Sequence, residues 1–243
     1  MKTNTIITII AKMMIDIHTH ILPGMDDGAR DIEEGIKITE LLFNQGISGA
    51  VCTPHYYPFL TDIKDFESRR KKAMEHMNKV RIPLFAASET YFHEYLFLND
   101  NLEPLKIHNT DYLLLEMPFK RKWDKYIYED LEKLNSHFNL IPIIAHIERY
   151  PAVKKRDIKR LKELGCVMQL NTSSLLNKKV KKRALSLIRT GLIDVLGSDC
   201  HNLTDRPPRI KTAMEIINKK LGKSYCEKLI KNSALIIEGK DIR

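Results

Sequence analysis

Between Met14 and Gly197 a short apolar run recurs seven times, each followed by a stretch of helical or loop character, and six of the seven runs end on a histidine or a carboxylate. Strands that alternate with helices pair in parallel, and seven such units without a long linker predict a closed or nearly closed barrel. Barrels of this kind build active sites at the C-terminal rim of their strands. An open doubly wound sheet would not bring the loops of so many strands to one point. The expected fold is therefore α/β, a seven-stranded (β/α) barrel, with strands at 14–20, 49–52, 83–87, 112–115, 140–145, 166–170 and 194–197.

The first run ends in His18-Thr19-His20. Alternate side chains of a strand point the same way, so a His-x-His pair aims both imidazoles into one volume, which is a metal-ligand geometry. The other expected ligands follow at Asp27, His55, Glu89, Glu116, His146, Asp199 and His201. A lone histidine or carboxylate is more often a structural hydrogen-bonding residue or a helix cap, and His76, His93, His108 and His137 are read that way. Two close pairs and single ligands at equivalent topological positions argue otherwise. So many nitrogen and oxygen ligands exceed the needs of one ion and imply two or three divalent metals, with manganese, iron or zinc suiting the mixed set better than magnesium or calcium. Arg149 and Arg206 would stand beside that centre, and an arginine's planar fork suits phosphate.

The chain has 243 residues, 43% of them apolar, which suffices for one core, and residues 1–13 are expected to be an extension to a single domain at 14–243. Its four cysteines lack zinc-ribbon or redox spacing, and the N-terminal apolar run is too short for a signal-peptide core, so a cytoplasmic location is expected. No apolar run is long enough to insert in a membrane. The net charge of +9 is concentrated at 69–72, 120–122 and 178–183; most such clusters are solvated helix faces. With metals added, it favours an anionic substrate.

The segments His18-Thr19-His20-Ile21-Leu22-Pro23-Gly24, Asp26-Asp27-Gly28, Thr53-Pro54-His55, Ala145-His146-Ile147-Glu148-Arg149-Tyr150, Ser198-Asp199-Cys200-His201-Asn202 and Arg206-Pro207-Pro208 resemble the capsule-type (CpsB/CapC-like) tyrosine-protein phosphatases of the polymerase and histidinol phosphatase (PHP) superfamily. The resemblance runs from Met14 to the last helix. It implies a distorted seven-stranded PHP barrel, usually loaded with manganese. It implies hydrolysis of phosphotyrosine on the C-terminal tail of a bacterial tyrosine kinase, or polysaccharide co-polymerase, that controls exopolysaccharide export, with a metal-activated water as nucleophile. It groups His18, His20, Glu89 and Asp199 around one metal, Glu89 with Glu116 and His146 around a second, and Asp27, His55 and His201 around a third. Arg149 and Arg206 match the phosphate-binding arginines, and with His55 they are the expected catalytic residues. Ser88 stands where the family often has glycine.

Three rival functions fit parts of the same sequence. A small-molecule phosphatase such as a histidinol-phosphate hydrolase would need much the same metals. A nucleic-acid-binding module would account for the charge but not for the ligands, so no nucleic-acid partner is expected; self-association is left open. Cys200 to Arg206 satisfies Cys-x5-Arg, the minimal pattern of cysteine-dependent tyrosine phosphatases. That loop needs backbone N–H groups wrapped around phosphate and usually glycine. This one has no glycine and carries Asp205, so the match reads as accidental.

Overall fold

The computed structural model describes residues 13–119 and 123–243. Most of the expected 1–13 extension, and the basic cluster at 120–122, lie outside the described residues. The described strands are β1 (Met14–Thr19), β2 (Ile47–Cys52), β3 (His55–Tyr56), β4 (Leu84–Ala86), β5 (Glu89–Tyr91), β6 (Tyr112–Glu116), β7 (Ile141–Ile144), β8 (Val167–Asn171) and β9 (Val195–Gly197). All pair in parallel, in a three-stranded sheet β1-β2-β4 and a six-stranded sheet β3-β5-β6-β7-β8-β9.

The count of nine against the expected seven has a local cause. The second and third expected strands, at 49–52 and 83–87, are each followed by a further short strand, β3 after Thr53-Pro54 and β5 after Ala87-Ser88. Proline has no N–H to donate to a ladder, so β2 stops before Pro54 and pairing resumes at His55 in the other sheet. At both breaks the chain passes from one sheet to the other, and the first sheet's ladder runs on into them: Thr53 N donates to Thr19 O at 2.8 Å and Ala87 N to Cys52 O at 3.0 Å. At the far edge, His20 N donates to Cys200 O at 2.9 Å and Asp199 N to His18 O at 2.8 Å, beside a parallel bridge between Thr19 and Cys200. The result is a mixed α/β fold whose parallel sheet curls back on its first strand.

Seven helices accompany the described strands: α1 (Ile32–Asn44), α2 (Ile63–His76), α3 (Lys125–Ser136), α4 (Lys155–Glu163), α5 (Lys181–Arg189), α6 (Ile210–Leu221) and α7 (Lys223–Ile237). At the start of α1 Asp31 accepts from Glu34 N at 2.9 Å, as a capping residue should. Glu34 reaches back to Arg30 N, 3.1 Å away, one residue short of a regular capping box. Apolar side chains divide into two sets. Leu113, Leu115, Met168 and Leu196 pack against the helices, while Ile15, Ile17, Leu114, Ile143, Val167 and Val195 fill the inside of the curl, where Ile236 of α7 joins them.

Ile15 and Ile17 already point inward, so strict alternation would turn His18 outward. A register irregularity between Asp16 and Thr19 intervenes. Such bulges re-aim side chains beside active sites. Here the irregularity sends His18 inward at the rim, above the inner apolar layer.

Candidate metal centre

Glu89, at the start of β5, is the hub. Its Oε2 lies 3.1 Å from His18 Nε2, 3.2 Å from His20 Nε2 and 3.2 Å from His55 Nδ1, and its Oε1 lies 2.9 Å from His146 Nε2. Asp199 Oδ1 stands 3.6 Å from His18 Nε2 and 3.5 Å from His20 Nε2. Glu116 Oε1 is 3.9 Å from His146 Nε2. Asp27, more exposed than the rest, holds its Oδ1 3.2 Å from His201 Nε2 and 3.5 Å from His55 Nε2. All nine expected ligands therefore converge on one rim. Their grouping differs in part from the expectation: His18, His20, Glu89 and Asp199 form one tight set, His20 joins Asp27, His55 and His201 in a second, and His55 with Glu89 and Glu116 makes a third. His146 stays beside the third set through Glu89.

The surrounding hydrogen bonds fix which ring nitrogens are free. His18 Nδ1 faces Gln169 Oε1 at 3.3 Å and His20 Nδ1 faces Asp26 Oδ2 at 2.7 Å. Both partners are acceptors, so in the neutral rings a proton on each Nδ1 satisfies them and leaves each Nε2 a lone pair toward the Glu89 side, where a cation would be met. The two Nε2 atoms are 3.0 Å apart and share one carboxylate oxygen. Electron-rich atoms held that close call for a cation among them. The buried His201 Nε2 makes no hydrogen bond, its near neighbour being Asp27 Oδ1 at 3.2 Å. This donor set fits divalent metal ions, and the carboxylate and amide behind the imidazoles are the outer partners such ligands need.

Electrostatics point the same way. Burial alone would depress the imidazole pKa of His18, but Glu89 and Asp199 hold it above its ordinary value. In His20, Asp26 and Glu89 overcome burial by more. Burial works to raise Glu89, and the facing His18, His146 and His20 keep it well below the carboxylate range. Glu116 is different: burial and the negative charge of Glu89 push it up to about 7. His201, desolvated and beside His20, falls to about 4.

Backbone conformation serves the cluster. His146 and Asp199 adopt positive φ, 34° and 54°, uncommon for residues other than glycine. Gly28 admits the chain beside His20, since a Cβ there would lie 2.1 Å from His20 O. Gly197 leaves room for His18, whose own Cβ would be 2.5 Å from a Cβ at 197.

At the mouth, Arg149 Nη1 donates to Asp199 Oδ2 at 3.2 Å and Arg206 Nη2 to Asp199 Oδ1 at 2.7 Å. Both arginines stay partly exposed and line a cavity of about 310 Å³ with Asn171, Ser174 and Ser198. Cys200 is fully buried, and burial raises its thiol pKa well above the ordinary value. A thiol so placed neither reaches a substrate nor ionises.

Sequence reasoning missed the layer behind the ligands. β8 supplies no ligand, yet Gln169 Oε1 also accepts from His146 N at 2.7 Å, Gln169 Nε2 donates to Asn171 Oδ1 at 2.9 Å, and Asn171 Nδ2 donates to Asp199 Oδ2 at 2.6 Å. Asp26, besides holding His20, accepts from His55 N at 2.9 Å. The signal available was the pair Gln169 and Asn171, two residues apart on one face of an otherwise apolar strand.

Distant solved structures share the fold. The inactive dihydroorotase-like domain of the Chaetomium thermophilum CAD-like multifunctional protein matches with a TM-score of 0.61 at 12% identity, covering 93% of this chain and 79% of that one. A mutant organophosphorus hydrolase matches at 0.58 and 10% identity, covering 94% of each chain. The curled parallel α/β architecture is thus shared with these distant structures. Within it, residues 14–238 match the family described as capsular polysaccharide synthesis, CpsB/CapC, and the chain belongs to that family. It is 32% identical to the tyrosine-protein phosphatase CpsB of Streptococcus agalactiae serotype V over 93% of this chain and 98% of the relative. It is 30% identical to the tyrosine-protein phosphatase YwqE of Bacillus subtilis strain 168 over 94% and 93%. A crystal structure from work on YwqE of Bacillus subtilis and CpsB of Streptococcus pneumoniae, described as metal-dependent tyrosine phosphatases, matches with a TM-score of 0.85 at 27% identity, covering 95% of this chain and 96% of that one.

Proposed function

We propose that this chain is a metal-dependent protein-tyrosine phosphatase, built on a distorted seven-stranded PHP-type barrel at 14–243, that acts on the phosphorylated tail of a bacterial tyrosine kinase of polysaccharide synthesis. The observation that carries the reading is the convergence of nine imidazole and carboxylate side chains on one rim, four of the imidazoles on Glu89, with two arginines at the mouth. The ligands would be shared among two or three divalent ions, manganese first among them, with Glu89 as the bridge. Such ions lower the pKa of water and neutralise charge on phosphoryl oxygens.

The protein's own groups do the rest. Arg149 and Arg206 each donate one nitrogen to Asp199, and Arg206 Nη1 also stands 3.6 Å from Asp27 Oδ2, so both guanidiniums are held at the cavity before a phosphoryl group arrives. Holding that group also restrains the ester oxygen, and a tyrosine phenol, with a pKa of about 10, is a tolerable leaving group once its charge is met. Gln169 and Asp26 keep the ring protons of His18 and His20 away from the centre. Phe119 stacks on His146 at 5.6 Å between ring centroids and walls off that side from water.

The experiment compares kcat/KM on a phosphotyrosine peptide and on histidinol phosphate with manganese present. A preference for the peptide by about a hundredfold or more, about 3 kcal/mol of differential transition-state binding, is expected. The reverse preference would make the chain a small-molecule phosphatase.

A further inference from the structure

Arg70, on the buried side of α2, is a charge without a counter-ion. It is 6% exposed, its Nη1 donates to Ala87 O at 2.7 Å, and the Phe66 ring lies 5.3 Å from its Cζ. Among the described residues, Nε and Nη2 have no hydrogen-bond partner and no carboxylate comes within ion-pairing distance. Burial holds the guanidinium below its ordinary pKa, against the charge of Glu67 one turn earlier on the helix. Arginines are almost never buried unless paired, because desolvating the charge is costly. Nε and Nη2, the two that remain, are parallel prongs of the kind that grip an oxyanion.

These prongs stand at a cleft. β4 pairs on one side only, with β2, and its other edge is met by His108 N, which donates to Ala86 O at 2.9 Å. Beside that edge, between α2 and the 103–111 segment, Arg70 lines a cavity of about 470 Å³ and an adjoining one of about 700 Å³, and Ala86 and His108 belong to both. No residue of the metal centre lines either. The cleft is nevertheless tied to that centre, because the carbonyl that Arg70 holds lies two residues before Glu89.

The walls select among oxyanions. A water's share of liquid volume is about 30 Å³, so the space admits a small molecule and not only a bare ion. On the helix side Lys64, Arg70 and Lys71 face Glu67, which favours negative charge. With Glu67 so near the fork, a singly charged carboxylate suits it better than a dianion. On the other side Glu103 and Asp111 offer acceptors, but Lys106 Nζ already meets them at 2.7 and 3.5 Å. A ligand ammonium would have to displace Lys106; hydroxyl groups would not. We propose that the cleft between α2, β4 and the 103–111 segment binds a small polyhydroxylated carboxylate, the chemistry of a sugar acid. Its carboxylate sits on the Nε and Nη2 fork of Arg70 and its hydroxyls donate toward Glu103 and Asp111. The site is distinct from the phosphatase centre and does not depend on that reading.

The test titrates the metal-loaded full chain with sodium D-glucuronate in a calorimeter, with sodium acetate as the carboxylate that lacks hydroxyls, at constant ionic strength. Glucuronate should bind with a Kd of about millimolar order and about fivefold or more tighter than acetate, the worth of one or two hydroxyl hydrogen bonds. Arg70→Lys keeps the charge and loses the fork, and should weaken glucuronate about tenfold or more. Lys71→Glu, at an exposed position that leaves the fold alone, should weaken it about threefold. In Arg149→Ala/Arg206→Ala the affinity should stay within about twofold, since neither arginine lines the cleft. No binding at about 10 mM, or glucuronate no tighter than acetate, would overturn the proposal. Loss of binding in Arg149→Ala/Arg206→Ala would place the ligand at the metal centre and overturn it as well. Parental affinity in Arg70→Lys would do the same, and should that variant fail to fold, parental affinity in Lys71→Glu decides against the site.

Discussion

Gln169 Oε1 sits 3.3 Å from His18 Nδ1, an amide on a strand without ligands holding the ring of a ligand two strands away through the curl. The same oxygen accepts from His146 N. One side chain thus sets the tautomer of one expected ligand and the position of another. Replacing it with leucine keeps the bulk and frees both. Outer partners of metal-bound histidines are typically worth about 10–100-fold in affinity or activity. Gln169→Leu should therefore bind manganese more weakly by that factor, measured by titration of the stripped protein, with unchanged far-ultraviolet circular dichroism. Unaltered manganese affinity would show that His18 is oriented by other means.

Arg206 touches both Asp199 and the cavity. Arg206→Lys keeps the charge and loses the fork; Arg206→Ala loses both. The alanine variant should forfeit about 2–3 kcal/mol of transition-state stabilisation, the range of charge-assisted hydrogen bonds, and lysine should fall between. The readout is kcat/KM on a phosphotyrosine peptide, with metal content checked because Asp199 loses a partner too. Parental values in both variants would withdraw Arg206 from phosphate binding.

Cys200 offers a clean contrast with the cysteine-dependent alternative. Cys200→Ser should retain kcat/KM within about twofold and lose about 1–2 kcal/mol of stability, because a hydroxyl replaces a thiol in a fully buried position. Loss of turnover at unchanged metal content would restore the thiol as nucleophile.

The ligands were legible in the sequence because strand periodicity and apolar runs locate strand ends, and a metal-binding rim is made of strand ends. Ion grouping was less so: which set His20 and His55 join depends on how far two short strands are displaced at Pro54 and Ser88, a property of three dimensions. His146 and Asp199 reach the centre through left-handed backbone that no glycine announces. The burial stripe of α1 shows the same limit: Gly35 and Thr39 are buried beside Ile38 and Leu42, and apolar spacing alone does not mark them. Gln169 and Asn171 carry no ligand signature, since an amide pair on an apolar strand looks in sequence like ordinary buried hydrogen-bonding residues.

Glu148 carries a pH dependence that can be isolated. It is buried, its Oε1 accepts from Ser174 Oγ at 2.6 Å and Asn171 N at 3.1 Å, and burial lifts its carboxyl to about 7. A carboxyl raised on folding contributes stability below its unfolded pKa and loses it as pH rises through the folded value. Between pH 4.5 and 7 the loss amounts to about 3 kcal/mol. Glu148→Gln cannot ionise, so its stability relative to the parent should improve by about that much from pH 5 to pH 8, read from urea unfolding of both proteins at equal manganese. Parallel pH profiles would mean that Glu148 ionises freely in the folded state.

The central claim is that the Glu89 cluster works through bound metal. The direct measurement is kcat/KM on a phosphotyrosine peptide for the purified protein, for the same sample stripped by chelator, and after manganese is returned, with metal content determined at each stage and Glu89→Gln carried in parallel. Turnover should vanish with the metal, return with manganese, and stay absent in Glu89→Gln, whose amide cannot hold the cations together. Full turnover by stripped, metal-free protein, or by Glu89→Gln, would contradict the account.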